Sequence, residues 1–180
     1  MHLTDGHIAI RELHPSDEPA YCEVLSDPEV SGTLRGRVGP QGELKLLSTC
    51  TPQELSDKFR YTLGLEISGR PCYFAIEACG GGGFVGSIGS YPIDDDRLGL
   101  SYWIAARHHG RGIGSRALRL YCPAALRHFG RRFVIANVAT DNPASKAAAV
   151  KAGFEPSRFR DDPGFGLIDD RELLEFSRAS

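Results

Sequence analysis

Three glycines at alternating positions, 110, 112 and 114, constrain this chain more than any other feature of its sequence. Before them, residues 98–105 (LGLSYWIA) have the pattern of a strand. After them, apolar residues recur at helical spacing from Ile113 onward. Glycine costs conformational entropy, so its repetition at a junction indicates unusual backbone angles or a close approach to the backbone. The segment therefore predicts a strand, a glycine turn and a helix in succession.

The predicted turn has the properties of an anion site. Backbone N–H groups converge at a helix N-terminus, the helix dipole favours negative charge, and small residues permit close approach. Arg111 adds a guanidinium that can bind a phosphate through two hydrogen bonds. We therefore expect a phosphate-bearing ligand, against the simpler interpretation of an ordinary turn with a solvated arginine.

Two common phosphate-binding motifs do not fit the turn. No GxxxxGK[ST] pattern occurs, which excludes a Walker-type nucleotide loop. A GxGxxG dinucleotide motif that started at Gly110 would place its third glycine at Ser115. The acidic residue that such a motif needs roughly 20 positions later is replaced by Arg131 and Arg132.

The turn instead resembles the acetyl-CoA loop of the GNAT acetyltransferase superfamily, whose pattern reads Q/R-x-x-G-x-G/A. Here the pattern is His109-x-x-Gly112-x-Gly114, with a histidine in place of Gln or Arg. The departure leaves the glycines and the neighbouring Arg111 in place.

Two further segments resemble the same superfamily. Residues 141–145 (DNPAS) and the later Gly153-Phe154 are similar to its N-x-x-S…GF signature. The opening, HIAIREL and then HPSDEPAYCEVLSDPEV, is similar to the first strand and helix of the Rim-type branch, which acetylates protein N-termini and other amines. The resemblance covers nearly the whole chain and is weakest at residues 31–50.

The resemblance implies an acetyl-CoA-dependent N-acetyltransferase formed by a single GNAT-like domain, residues 1–180. A primary amine, on a peptide N-terminus or a small molecule, would attack the thioester of acetyl-CoA directly in a ternary complex. The order of strands and helices indicates an α/β (mixed α+β) fold. We expect a central, mostly antiparallel mixed sheet of about seven strands flanked by helices.

The resemblance also implies which residues act. Those expected to bind acetyl-CoA are Ile104, Ala105, His109, Gly110, Arg111, Gly112, Ile113, Gly114, Ser115 and Asn142. Asn142 is also a good helix N-cap, and the roles are compatible because capping uses the side-chain oxygen and leaves the amide as a donor. Ser145 is implied as the catalytic acid that protonates the leaving thiolate, with completion of the helix cap as the alternative.

The resemblance does not identify a general base in this chain. Many relatives carry a glutamate on the strand before the glycine turn, at the position that Gly99 occupies here. Asp161, Asp162 and Glu77 are candidates, and a water chain would also serve. A backbone N–H at the end of the 98–105 strand is expected to polarise the thioester carbonyl.

Capping and turn residues place the other elements. Strands are predicted at residues 7–13, 71–79, 84–93 and 132–140, and near 154–159 and 172–177, with a glycine hairpin turn at 80–83. Helices are predicted from Ser16 to Pro28, from the capping box at Thr51 to about Ile67 with Gly69 after it, and over residues 142–152. Residues 31–50 show no periodicity and are predicted to form a loop.

Four side chains receive individual predictions. Tyr102 and Trp103 are neighbours on a strand and face opposite sides, so one is expected in the core and the other at the cleft, unless both only pack. Pro123 is expected to kink the helix after the turn, because it removes a backbone hydrogen bond. His108 is expected to pack or to face solvent, since adjacent histidines do not pair as metal ligands on a helix, and no metal site is predicted.

Composition narrows the functional classes. The 180 residues carry a formal net charge of −2, which argues against broad nucleic-acid or anionic-membrane binding. No apolar signal region or run of 18 apolar residues occurs, so no membrane partner is expected. Five cysteines without C-x-x-C spacing indicate free thiols in a reducing cytoplasm and give no support to a covalent cysteine mechanism.

Other interpretations stay open at this stage. A non-catalytic acyl-CoA-binding or sensor module could use the same fold, and the same chemistry could use a longer acyl-CoA. The sequence does not fix the oligomeric state, so a homodimer also stays open. Three basic residues in the predicted loop, Arg35, Arg37 and Lys45, favour a lid over a small or peptide-sized acceptor with negative charge and argue against a polyamine.

Overall fold

The strands of the protein are mostly short, and one large sheet contains eight of them. The structure, a computed structural model, describes residues 1–38, 43–160 and 171–177, apart from the side chain of Arg37. In chain order the strands are β1 (Leu3–Thr4), β2 (Ile8–Glu12), β3 (Arg35–Val38), β4 (Glu43–Leu46), β5 (Glu66–Ile67), β6 (Arg70–Pro71), β7 (Tyr73–Ala78), β8 (Gly83–Pro92), β9 (Arg97–Ile104), β10 (Phe133–Ala139), β11 (Glu155–Pro156) and β12 (Arg171–Ser177).

The helices lie between groups of these strands. In the described ranges they are α1 (Glu18–Leu25), α2 (Pro28–Ser31), α3 (Pro52–Leu63), α4 (Ile113–Phe129) and α5 (Pro143–Lys151). The predicted capping box starts α3, where the Thr51 hydroxyl accepts from the Glu54 amide and the Glu54 carboxylate accepts from the Thr51 amide. The expected glycine turn, strand and helix of residues 98–129 are confirmed.

The main sheet has the order β1-β2-β7-β8-β9-β10-β12-β11, which bears out the predicted mixed sheet with one strand more than expected. Neighbouring strands are antiparallel except β9 and β10, which are parallel. The predicted hairpin over the glycine run joins β7 to β8. The connection from β9 to β10 passes through α4, as parallel neighbours require.

The two faces of the sheet hold two apolar cores. One core gathers α4 and α5 against residues such as Leu98, Leu100 and Val134. The other gathers α1 and α3 around Trp103, which is 7% exposed. Side chains of successive strand residues point to opposite faces, so β9 contributes to both cores.

The segment 31–50 corrects a prediction. It was expected to be a loop, but α2 ends at Ser31, β3 and β4 pair as an antiparallel hairpin, and Leu47–Thr49 form one turn of 3₁₀ helix. Val38 and Leu47 are buried in the second core. Short strands whose apolar residues pack on a helix give no long-range periodicity, and the pattern was therefore missed.

Three element boundaries also differ from prediction. The first helix stops at Leu25, and Pro28 begins α2 rather than ending α1. Helix α3 ends at Leu63, and Gly69 (φ 71°) lies in the turn between β5 and β6. The strand expected near 154–159 is only β11, two residues long.

Pro123 does not interrupt α4, which continues as one helix from Ile113 to Phe129. Buried neighbours on both sides of the proline, Tyr121, Cys122 and Ala125, pack in the first core. This packing favours the helical path despite the hydrogen bond that proline cannot donate. Among the residues that the structure describes, no helix is long and apolar enough to span a membrane.

Lys58 of α3 lies beneath the β3–β4 hairpin. A Cβ added to Gly36 would stand 2.9 Å from both Cε and Nζ of Lys58, so the side chain packs directly on the β3 backbone. Burial lowers the pKa of Lys58 to about 8, and no carboxylate in the described ranges pairs with it. The folded protein therefore holds this ammonium group in unfavourable surroundings.

We expect Lys58→Met to raise the free energy of unfolding at pH 7 by about 1–2 kcal/mol, because the buried charge is removed. As pH rises through the range where folded Lys58 loses its proton, the unfolded chain still holds it, so the wild type gains stability relative to the variant. Urea unfolding of both proteins at pH 7 and pH 10 measures the difference. An advantage of the variant that stays constant with pH would contradict this account.

Candidate active site

The parallel strands β9 and β10 part from one another halfway along their length. Their pairing runs from Arg97↔Phe133 to Leu100↔Ala136 and stops there. Strand β9 then continues to Ile104 paired with β8, and β10 continues to Ala139 paired with β12. The carboxyl ends of the two strands therefore border a wedge, which is the place where open sheets of this kind bind ligands.

The glycine turn lies at the end of β9, next to this wedge. Gly110 (φ 72°) and Gly112 (φ 74°) adopt left-handed backbone angles that side-chain-bearing residues rarely adopt. Gly112 is the N-cap of α4, and no side chain caps this helix end. The first amides of α4 are thus left for a ligand or water, and the positive end of the helix dipole reaches the turn.

Gly114 differs from the other two glycines, because neither its backbone nor crowding requires it to be glycine. It lies in the first turn of α4 and is not among the glycines with positive φ. A Cβ there would make ordinary contacts, 3.5 Å from Tyr102 Cε2 and 3.7 Å from Ala148 Cβ. The missing side chain therefore leaves room in the cleft rather than relieving strain.

Two cavities occupy this region. The turn cleft, of about 440 Å³, runs along the glycine turn between α2, β9, α4 and α5. The wedge cavity, of about 70 Å³, lies between the parted ends of β9 and β10. Both are lined by the same five residues where they meet, Thr33, Leu34, Tyr102, Asn142 and Ser145.

Most of the residues predicted to act line these cavities together. The turn cleft brings together Ile104, His109, Gly110, Gly112, Ile113, Gly114, Ser115, Asn142 and Ser145. Ala105 and Arg111 do not line it. The amide of Ala105 donates to the Val85 carbonyl at 2.8 Å, so it is already used. The side chain of Arg111 is exposed, and the structure leaves its predicted phosphate contact untested.

The backbone at the end of β9 offers a different donor. Successive amides of a strand point to opposite sides, and the Ala105 amide points to β8. The amide of Ile104 therefore points away from β8, toward the wedge. Of the two predicted backbone positions, Ile104 is the one whose N–H points away from β8, and it is also the one that lines the turn cleft.

His109 is held on both sides of its ring. Its Nε2 lies 2.8 Å from the Ile104 carbonyl oxygen, and its Nδ1 lies 3.6 Å from a Glu29 carboxylate oxygen on α2. His108 is half-buried and also lines the turn cleft. Burial, and then the charges of Arg107 and Arg111, lower the pKa of His108. The turn thus carries two histidines at one cleft.

Ser145 forms a pair with a tyrosine that the sequence did not connect to it. The Tyr102 hydroxyl lies 2.9 Å from the Ser145 hydroxyl. Burial raises the pKa of Tyr102, while the hydrogen bond with Ser145 works against that rise. Tyr102 lines both cavities, whereas Trp103 is buried in the second core. The division is incomplete, because Trp103 also borders the turn cleft and Tyr102 also packs against the first core.

Asn142 caps α5 and also contacts the opposite wall of the cleft. Its side-chain oxygen accepts from the Ser145 amide at 3.0 Å, which confirms the capping role. Its side-chain nitrogen donates to the Thr33 hydroxyl at 3.0 Å. The Thr33 carbonyl in turn accepts from Arg171 on β12. The segment after α2 therefore bridges the two sides of the wedge.

The position of the missing glutamate is occupied by an aromatic ring. Tyr91 pairs with Gly99 across β8 and β9, and a Cβ on Gly99 would lie only 2.0 Å from the Tyr91 ring. A glutamate cannot enter at this position unless Tyr91 moves. The carboxylate is thus absent because the ring takes its space.

Only one of the three candidate bases, Glu77, is among the described residues, and it lies away from both cavities. Glu77 lines neither of them, and its carboxylate accepts from Arg11 at 2.8 Å, which also binds Asp17. Asp161 and Asp162 lie outside the described residues. The three ranges that the structure describes contain no cluster of His, Cys, Asp and Glu suited to a metal ion. All five cysteines are free thiols.

The three basic residues of segment 31–50 have different surroundings. Arg35 lines the wedge cavity, whereas Lys45 pairs with Glu54 at 2.6 Å and with Glu43 at 3.7 Å and lines neither cavity. The side chain of Arg37 is outside the described part. Of the two described side chains, Arg35 is therefore the one that presents the expected positive charge at the cleft.

Comparisons with known proteins agree with this geometry. A family model described as the acetyltransferase (GNAT) domain matches residues 7–155. A comparison with curated proteins finds no matching sequence.

Solved structures share the fold at low identity. A GNAT-family acetyltransferase from Bacillus anthracis is 16% identical with a TM-score of 0.72, over 97% of this chain and 96% of that one. A candidate ribosomal-protein-serine acetyltransferase from Vibrio cholerae is 14% identical with a TM-score of 0.69, over 99% and 98%. An aminoglycoside acetyltransferase solved with coenzyme A and kanamycin is 15% identical with a TM-score of 0.70, over 95% of both chains.

The two kinds of glycine in the turn predict opposite effects on stability. Gly112→Ala should lower the free energy of unfolding by about 1–2 kcal/mol, because alanine is strained at positive φ. Gly114→Ala should leave stability unchanged or raise it by up to about 1 kcal/mol, since alanine favours the helix and its Cβ fits. Thermal unfolding of both variants checks this. A loss at Gly114→Ala as large as that at Gly112→Ala would show that Gly114 serves the fold.

Proposed function

Because this chain belongs to the GNAT acetyltransferase family, we propose that it is a single-domain N-acetyltransferase that moves an acetyl group from acetyl-CoA to a primary amine. The observation that carries the proposal is Gly114. A glycine that neither backbone strain nor crowding demands keeps the turn cleft open beside uncapped helix amides. Such a cradle suits the pyrophosphate of coenzyme A, which needs close approach to backbone N–H groups.

The turn cleft has room for more than the pyrophosphate. It extends from the turn, past Ala148 of α5, to Asn142 and Ser145. Asn142 uses its oxygen for the cap and has two N–H groups, one of which meets Thr33. We infer that its second N–H is available to the pantetheine arm. The thioester would then lie at the junction of the two cavities.

The proposed reaction uses three groups of the protein: the Ile104 amide, the Ser145 hydroxyl and the Tyr102 hydroxyl. The amine nitrogen attacks the thioester carbonyl carbon, so an N–C bond forms as the C–S bond breaks. The Ile104 amide polarises the carbonyl, and Ser145 gives its proton to the departing thiolate. Tyr102 donates to the Ser145 hydroxyl, which orients it and replaces the proton that it loses, and Tyr102 regains a proton through water from the amine. The amine gives up its own proton to water, because no described carboxylate lines the wedge cavity.

Two classes of amine are candidates for the acceptor. The Rim-type resemblance of the opening supports a peptide N-terminus, as does the name of the Vibrio cholerae neighbour. A small-molecule amine is the other candidate, and the aminoglycoside acetyltransferase shares the fold. Measuring acyl transfer from other acyl-CoA thioesters tests whether the protein uses longer acyl groups.

Binding of coenzyme A tests the cradle directly. We expect Gly114→Val to raise the Kd for coenzyme A at least tenfold, or about 1.4 kcal/mol, because its side chain fills the cleft. Arg111→Ala should weaken coenzyme A more than pantetheine, which lacks the phosphates, whereas the matched control Arg107→Ala should not. Titration calorimetry on folded variants measures each affinity. Wild-type affinity in Gly114→Val would remove the basis of the proposal.

The role of Ser145 is tested in a single turnover. We expect Ser145→Ala to slow acetyl transfer by about 10- to 100-fold, with little change in acetyl-CoA affinity, because only thiolate protonation is lost. Tyr102→Phe should have a smaller effect in the same direction. A wild-type rate in Ser145→Ala would leave Ser145 as a helix-cap residue. Acetyl-CoA binding without transfer to any amine would favour the sensor interpretation.

A further inference from the structure

The charged side chains among the described lining residues of the wedge cavity are all positive. Arg35 and Arg171 line it, and no Asp or Glu is among its described lining residues. We propose that the acceptor is a small amino acid, whose carboxylate binds Arg35 and whose amine then faces the Tyr102–Ser145 pair. The inference rests on the proposed function and adds the chemical class of the acceptor.

Arg35 has the position and freedom that such a contact needs. It is the first residue of β3, directly after the segment that contacts Asn142 and Arg171, and its side chain is exposed. The side chain of Arg35 makes no hydrogen bond or ion pair with another residue in the part of the chain that the structure describes. A guanidinium binds a carboxylate through two parallel hydrogen bonds, which also orients the bound molecule.

Arg171 stabilises the segment of the cavity wall that carries Arg35. Its two terminal nitrogens donate to the Thr33 and Asn137 carbonyls, both at 3.2 Å. These bonds fix Arg171 between β10 and the segment that carries Arg35. Arg171 therefore holds Arg35 beside the wedge, and Arg35 is the group that meets the acceptor.

The size of the wedge cavity limits the acceptor. Its volume is about 70 Å³, compared with roughly 10–15 Å³ of such space for one water molecule. That room suits an amine, one or two carbons and a carboxylate. Leu100, Ala136 and Val138 form apolar walls that do not suit a carboxylate, whereas the arginine side of the cavity offers it a positive charge.

The charge also affects the protonation of the acceptor. A positive neighbour disfavours the ammonium form of an amine, so Arg35 helps the acceptor to reach the reactive free base. This effect matters because Tyr91 occupies the space of a carboxylate base at Gly99. A polyamine or an aminoglycoside would instead place further positive charges against Arg35.

Two acceptors that share the amine but differ in the carboxylate, an amino acid and its carboxamide, test the carboxylate contact separately. The wild type should transfer acetyl groups to glycine or alanine with a kcat/KM at least tenfold above that for the corresponding carboxamide. Arg35→Gln should remove this preference by raising the KM for the free acid, with the carboxamide unchanged, and Arg35→Lys should restore part of it. Arg127→Gln, an exposed arginine of α4 away from both cavities, is the matched control.

A binding measurement keeps this test independent of catalysis. Calorimetric titration of the coenzyme A complex with alanine and with alaninamide should show tighter binding of alanine in the wild type and not in Arg35→Gln. Equal binding of the two, or a preference that survives Arg35→Gln, overturns the inference even if other amines are acetylated. Selective alanine binding without acetyl transfer would support the carboxylate site and count against the proposed function.

Discussion

The parting of β9 and β10 is the constraint on which the rest of the site depends. Parallel strands can share a ladder only while their backbones stay adjacent, and here the ladder ends at Leu100 and Ala136. Beyond that point each strand follows its antiparallel neighbour on the other side. The gap leaves β9 amides without a ladder partner and gives two cavities a common boundary. The glycine turn, α4 and α5 all start at this gap.

The side chains where the two cavities meet are held in place by hydrogen bonds that also stabilise the fold. Asn142 caps α5 and at the same time contacts Thr33 across the cleft. Ser145 is held by that cap through its amide and by Tyr102 through its hydroxyl. Because each group is anchored by an element that packs in a core, the site inherits the rigidity of the fold. Changes at these residues will therefore affect the chemistry through position as well as through lost contacts.

No carboxylate is among the described residues that line the wedge cavity, and the nearby charges are arranged accordingly. Tyr91 covers Gly99, and Glu77 is neutralised by Arg11 in a network that ties β2, β7 and the start of α1 together. The wedge cavity is instead lined by arginines among its described residues. Such surroundings favour the neutral form of an amine by repelling its charged form, and they favour an anionic group elsewhere on the same acceptor.

Local sequence determined the elements that depend on short-range chemistry. The capping box at Thr51, the cap at Asn142, the hairpin over residues 80–83 and the strand, turn and helix of 98–129 were all predictable, because caps, turns and periodicity act within a few residues. The tertiary structure alone decided which distant residues meet. The Tyr102–Ser145 pair, the Thr33–Asn142 contact and the ring of Tyr91 over Gly99 leave no local signal, and the hairpin at 35–46 forms because α3 supports it. Such contacts depend on how strands align across a sheet, and a linear pattern does not encode that alignment.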